Sequence, residues 1–147
     1  MNLIDIGANL SHESFSHDLD DVIATAIEAG VSHIIVTGTD TTSNEAALAL
    51  SKSRPTILSC TAGYHPHVAE SFDDQALLSV RSLAKDDKVV AIGETGLDFN
   101  RNFSSKESQL RAFEQHLILA AELGKPLFLH QRDAHPEFLT LLRRYRE

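Results

Sequence analysis

The side chains able to do chemistry gather in three short stretches: Gly63-Tyr64-His65-Pro66-His67, Gly93-Glu94-Thr95-Gly96-Leu97-Asp98 and His130-Gln131-Arg132-Asp133. The second follows Val89-Val90-Ala91-Ile92, a β-branched apolar run that reads as a strand buried on both faces. A carboxylate suits such a strand only at an open end, where it can meet a metal, a cation or water. The sequence therefore predicts that the strand stops at Glu94, with Gly93 and Gly96 turning the backbone and Asp98 placing a second acid on the turn. A helix cap or surface charge is the alternative for Glu94, but no helix signal follows immediately. His130 closes another apolar run, and adjacent strand ends would set it beside Glu94. Carboxylate plus imidazole suits Mg, Mn or Zn; a buried histidine bonded to a carbonyl is the alternative. His65 and His67 flank Pro66, so that segment is extended. Both rings could face a ligand, or the segment could be a turn with one exposed ring. Arg132 could hold a phosphate oxygen or pair with Asp133. Asp98 could orient a ligand or base, or stabilise its turn.

These stretches need strands and helices to position them. Leu3 to Gly7, His33 to Gly38, Thr56 to Gly63, Val89 to Glu94 and Pro126 to His130 read as five strands. Between and after them run helical stripes: Leu19, Val22, Ile23, Ala26 and Ile27; Ala46 to Leu50; Ala76, Leu77, Val80, Leu83 and Ala84; Leu110, Phe113, Leu117, Ala120 and Ala121; and Phe138, Leu139 and Leu142. Ser16 is the expected cap of the first helix. Thr42 with Glu45 and Ser104 with Glu107 have capping-box spacing, and Gly30 and Gly124 suit helix stops. Strand-helix alternation implies a parallel sheet in an α/β protein. Nearly every strand ends in polar or metal-competent residues: Asn9, Thr37 to Asp40, His65 with His67, Glu94 with Asp98, and His130 with Arg132. A doubly wound sheet gathers such groups near one switch point, whereas a β/α barrel takes them from many strand ends. The spread favours the barrel.

Composition bounds the rest. The 147 residues suffice for one domain with a sizeable core. No apolar run approaches a membrane span, and no basic-then-apolar leader opens the chain. A single cysteine, Cys60, cannot form an internal disulfide, so a cytoplasmic location is expected. Cys60 reads as a small core residue. Acids outnumber bases 21 to 13, a net charge of −8, which argues against a partner held by a broad basic surface. Nucleic acid held through metal ions stays compatible. His12, His17, His33, His116 and His135 read as surface or capping residues.

Taken in order, Gly63 to His67, Ala91 to Arg101 and Leu129 to His135 resemble successive signatures of the TatD family of metal-dependent deoxyribonucleases. Asp5-Ile6-Gly7-Ala8-Asn9-Leu10 is similar to the family's bacterial branch. The resemblance implies a TIM-type β/α barrel of the amidohydrolase-like class. It also implies divalent-metal-dependent hydrolysis of DNA phosphodiesters, with 3′→5′ exonuclease activity on single strands or 3′ ends and roles in DNA repair. By position, Glu94 matches the metal-bridging, catalytic glutamate and His130 the metal histidine of the fifth strand. His65 matches a histidine that helps hold the substrate phosphate, and His67 and Arg132 are expected as further substrate contacts. Mg²⁺ or Mn²⁺ is the expected ion, with Zn²⁺ the alternative. Gly7 and Asn9 stand where many relatives carry the histidines of Asp-x-His-x-His, a departure shared by the bacterial branch. A family barrel runs to about 250 residues and eight strand-helix units. Residues 1–147 are therefore expected to be the N-terminal portion of a single barrel domain, about five units of eight. A histidine ending the sixth strand and an aspartate ending the eighth are not among them. The expectation is an enzyme inactive or impaired in this form, whose barrel is closed by the missing half or by self-association. A hydrolase of small esters or amides, or a non-catalytic fragment, is the alternative.

Overall fold

The computed structural model describes residues 2–145. Its elements alternate: β1 (Leu3–Ala8), α1 (Leu19–Glu28), β2 (Val31–Val36), α2 (Thr41–Ser53), β3 (Leu58–Ala62), α3 (Asp74–Leu83), β4 (Val89–Asp98), α4 (Lys106–Leu123), β5 (Leu127–Arg132) and α5 (His135–Arg144). Short 3-10 turns occupy Glu13–Phe15 and Pro66–Ser71. The strands are parallel and lie in the spatial order β1-β2-β3-β4-β5. Sequential order without a reversal is the barrel arrangement, not the doubly wound one. The sheet curls far enough that a Cβ placed on Gly7 of β1 would stand 3.1 Å from the Phe128 ring of β5. The two strands do not pair among the described residues. The architecture is a curled half-barrel, as the strand ends implied.

Period-two alternation assigns the faces. Ile34, Val36, Leu58, Cys60, Ala62 and Ile92 lie in one core with Ala47, Leu48 and Val80 of the helices. A second core joins Leu97, Phe113, Leu117, Phe138 and Leu141, with Phe113 and Phe138 stacked at 5.0 Å. Each fully buried side chain of this size contributes roughly 1.5–3 kcal/mol. Leu127 packs against both cores, so β5 turns Phe128 and His130 to the inner face. On β1, Leu3, Ile4 and Ile6 are 44%, 59% and 59% exposed.

Three expected helix starts shift. Ser16 does not cap α1; it closes the turn that His12 opens, and Asp18 stands at the N-cap with no side-chain bond. α2 begins with a reciprocal box between Asp40 and Ser43 in place of Thr42 and Glu45. The extended backbone at Asp40 brings its carboxylate 2.7 Å from the Ser43 amide. Ser105 caps α4, because the Ser104 hydroxyl is committed to His67 O and the Glu70 amide. Gly124 ends α4 in the left-handed conformation, as its type predicts.

The largest difference concerns β4, which does not stop at Glu94 but runs ten residues to Asp98. Its register against β5 slips between Ile92 and Thr95, the mark of a bulge. Gly93 and Gly96 have φ of 133° and 147°. A Cβ there would stand 2.1 Å from Phe128 O and 1.9 Å from His130 O. These glycines serve close approach of β5 and a bulge that re-aims side chains, rather than a chain-terminating turn.

Candidate active site

The carboxyl ends of β3, β4 and β5 share one rim, the end of a β/α barrel that carries chemistry. Helix side chains fix the backbone there. From α2, Asn44 clamps Gly63, donating to its carbonyl at 3.1 Å and accepting its amide at 3.0 Å. From α4, His116 accepts the Tyr64 amide on Nε2 at 3.1 Å and donates Nδ1–H to Ala112 O at 2.7 Å. The next residue, His65, caps the Pro66–Ser71 turn, and its Nδ1 accepts the His67 amide at 3.2 Å. Its Nε2 therefore carries the ring proton of the neutral form and points into the rim.

There it meets Glu94 and His130. His130 Nδ1 lies 3.0 Å from Glu94 Oε1 and 3.2 Å from His65 Nε2, and His65 Nε2 stands 3.6 Å from Glu94 Oε1. One ligand atom from each of the three falls within 4.8 Å of the others. His130 Nε2 is buried without a hydrogen-bond partner, 3.4 Å from Asp98 Oδ2. Asp98 is 1% exposed. Its Oδ1 accepts the Asn100 and Arg101 amides at 3.0 and 2.9 Å, and its Oδ2 accepts from His67 Nε2 at 2.7 Å. Gln109 of α4 accepts the Asp98 amide at 2.8 Å and donates to the Asp98 and Ser104 carbonyls at 3.1 and 2.9 Å.

The surroundings tune these groups. Burial pushes His65 down to about 4, against the pull of Glu94, so the ring is neutral near pH 7. Burial pushes Glu94 up, but the His130 hydrogen bond and neighbouring imidazoles outweigh it and leave its pKa lowered. The Glu94 hydrogen bond raises His130. At Asp98 burial is overcome by the Arg101 amide, the His67 ring and the Asn100 amide, which hold the carboxyl well below its usual range. A charged glutamate, a charged aspartate and a neutral histidine thus share one small volume, a combination suited to a cation and an oxyanion together.

The structure brings Glu94, His130 and His65 into contact and sets His67 beside them, its ring 4.2 Å from that of His65. Arg132 is exposed and makes no ion pair among the described residues; its carbonyl accepts the Phe99 amide. Asp133 bonds Asn100 at 2.9 Å and not Arg132. Two histidines expected at the surface lie elsewhere. His116 is fully buried, and His33 is half-buried, 2.9 Å from Ser59 Oγ on the sheet. Sequence reasoning missed Asn44, Gln109 and His116 as supports. The signal was a polar residue on an otherwise apolar helical stripe: Gln109 and His116 share a face with Phe113, Leu117 and Ala120.

A curled parallel sheet with carboxylate and imidazole groups at its strand ends is the framework of a β/α-barrel protein. The family model described as "TatD related DNase" matches residues 4–147, and the chain belongs to that family. It is 47% identical over 141 residues to the "3'-5' ssDNA/RNA exonuclease TatD" of Erwinia tasmaniensis, covering 96% of this chain and 54% of that protein. The protein of the same name from Musicola paradisiaca is 48% identical over 145 residues, covering 99% and 55%. A solved TatD family hydrolase from Entamoeba histolytica matches with a TM-score of 0.89 at 31% identity, covering 99% of this chain and 55% of that one. A TatD homologue from Escherichia coli gives 0.88 at 31% identity, covering 97% and 56%. The chain spans about half the length of the curated relatives it matches. No described helix is long and apolar enough to cross a membrane.

Proposed function

We propose that this chain carries the first part of a metal-dependent nuclease site that hydrolyses phosphodiester bonds at 3′ ends of single-stranded nucleic acid. The observation that carries this reading is the convergence of Glu94 Oε1, His130 Nδ1 and His65 Nε2 within 4.8 Å. The donor set fits a divalent cation: a charged carboxylate oxygen, Glu94 Oε1, lies 3.0 Å from an imidazole nitrogen, His130 Nδ1. Glu94 and His130 would hold Mg²⁺ or Mn²⁺. When bound, the ion supplies positive charge to a phosphoryl oxygen and acidifies water.

The chain's own residues do the rest. His65, neutral and protonated on Nε2, donates to a non-bridging phosphate oxygen at the same point. Asp98 locks the His67 ring through its 2.7 Å bond, and His67 contacts the substrate beside His65. Arg132, free of internal ion pairs among the described residues, offers its guanidinium to the next phosphate. In this reading residues 1–147 are the N-terminal portion of one barrel domain in the cytoplasm. The remaining ligands come from later strands or from a second copy, and the cellular role is DNA repair and degradation. The names of the similar bacterial proteins support the substrate and the polarity.

The test uses a 5′-labelled single-stranded oligonucleotide with Mg²⁺ or Mn²⁺, alongside Mn²⁺ titration. Glu94→Ala and His130→Ala should each abolish Mn²⁺ binding, and any hydrolysis should shorten the strand from its 3′ end and vanish in Glu94→Ala. Mn²⁺ affinity or hydrolysis indifferent to Glu94 overturns the proposal. Turnover of small esters but not of oligonucleotides moves the site to a different substrate.

A further inference from the structure

Phe103 lies in the segment joining β4 to α4 and is 64% exposed. Its neighbours allow it no retreat. Asp98 Oδ1 holds the amides of Asn100 and Arg101. Asn102 donates to Phe99 O at 2.8 Å. Ser104, only 2% exposed, is tied to His67 O and through its own carbonyl to Gln109. A segment this firmly bonded holds a phenylalanine in solvent by construction. The ring meets the His67 ring edge to face, with centroids 4.9 Å apart and planes at 83°. His67 in turn lies 4.2 Å from the His65 ring, and His65 touches both Glu94 and His130. The exposed aromatic therefore stands one side chain outside the candidate metal cluster.

Charge points the same way. In a chain of net charge −8, residues 99–106 carry Arg101 and Lys106, and the Glu70 carboxylate meets the segment only at its end, accepting the Ser105 amide at 2.8 Å. Lys106 Nζ sits 4.4 Å over the Phe99 ring, four residues before Phe103. Single-stranded nucleic acid is held where an aromatic face takes a base while nearby cations follow the backbone. Arg101, Phe103 and Lys106 supply both parts.

We infer that Phe103 is a stacking platform for a nucleobase next to the bond being cleaved, set by the β4–α4 segment beside His67. This rests on the nucleic-acid reading of the site and adds what holds the base. The platform takes any base, because every base offers a π-face, and it rejects a strand whose nucleotide there lacks a base.

The chain has no tryptophan, so Phe103→Trp installs a single fluorescent reporter. It is titrated, with Ca²⁺ present, with an oligothymidylate and with an abasic oligomer of equal length. The oligothymidylate should quench the reporter and the abasic oligomer should not. By anisotropy, Phe103→Ala should weaken oligothymidylate binding about 5- to 150-fold, leave abasic binding as in wild type, and be rescued by Phe103→Tyr. Equal weakening toward both oligomers would mean that Phe103 merely supports His67, and would overturn the platform. Unchanged discrimination in Phe103→Ala would overturn it while leaving the nucleic-acid reading intact. A wild-type chain that binds neither oligomer refutes that reading, and the platform with it.

Discussion

Replacing His116 with glutamine should flatten the acid side of this chain's stability profile. His116 is completely buried on α4. It donates Nδ1–H to Ala112 O and accepts the Tyr64 amide on Nε2, so the ring is neutral and fully used. Burial lowers its pKa from 6.5 to about 4, against the opposing pull of the Ala112 carbonyl. In the unfolded chain the same ring takes its proton near 6.5. Between these values the unfolded state binds more protons, so acid favours unfolding. The contribution is complete above pH 6.5 and is lost as pH falls toward 4. Between pH 7 and pH 5 the loss comes to about 2 kcal/mol at 1.36 kcal/mol per pKa unit. Glutamine keeps an acceptor for the Tyr64 amide and does not titrate. His65, Glu94 and Asp98 titrate in both chains and cancel in the comparison. Urea unfolding followed by far-UV circular dichroism at pH 7, 6 and 5 measures both profiles. The wild type should lose about 2 kcal/mol more than the variant over that span. Profiles that stay parallel would refute the argument, since they would mean that His116 takes a proton in the folded chain as readily as in the unfolded one.

Gln109→Ala should destabilise the fold by about 2–4 kcal/mol in urea unfolding at neutral pH, because the Asp98 amide and the Asp98 and Ser104 carbonyls lose a buried partner together. Gly96→Ala should cost about 1–3 kcal/mol for its backbone conformation alone. The clash with His130 O adds to that, so proteolysis should cut β5 and α5 of this variant faster. Cys60 is buried with its thiol pushed up to about 11 by burial. A thiol reagent at pH 8 should therefore leave the native chain unlabelled for as long as it stays folded, and label it at once in denaturant.

Most of the architecture is legible in the sequence because the helix and strand periods repeat five times without interruption. The site is legible in part. His65, Glu94 and His130 announce themselves as polar residues closing apolar runs, and they meet in space. What could not be read locally depends on partners far along the chain. Nothing near Gly93 says that Phe128 O will lie where a side chain would be, so a bulge within a ten-residue strand looks like the end of a shorter one. Ser104 and Ser105 are equal as caps until the backbone of His67 and Glu70 claims Ser104.

The rim also shows how such a site gains its precision. Where a strand runs beyond its neighbours, its backbone loses ladder partners while staying buried beneath the helix layer, and each unpaired group there costs free energy. This chain meets that demand with three side chains from the helices. Asn44 takes both polar groups of Gly63, His116 takes the Tyr64 amide, and Gln109 takes both polar groups of Asp98. Their bonds fix the backbone next to His65 and at Asp98 itself, which in turn fixes His67. Stability and site geometry therefore share the same hydrogen bonds. A substitution at Asn44, Gln109 or His116 displaces His65 or Asp98 by the same change that weakens the fold, although none of the three touches the cluster. The helices of the half-barrel act as more than a cover for its sheet: they hold the strand ends at the positions from which the inner side chains meet.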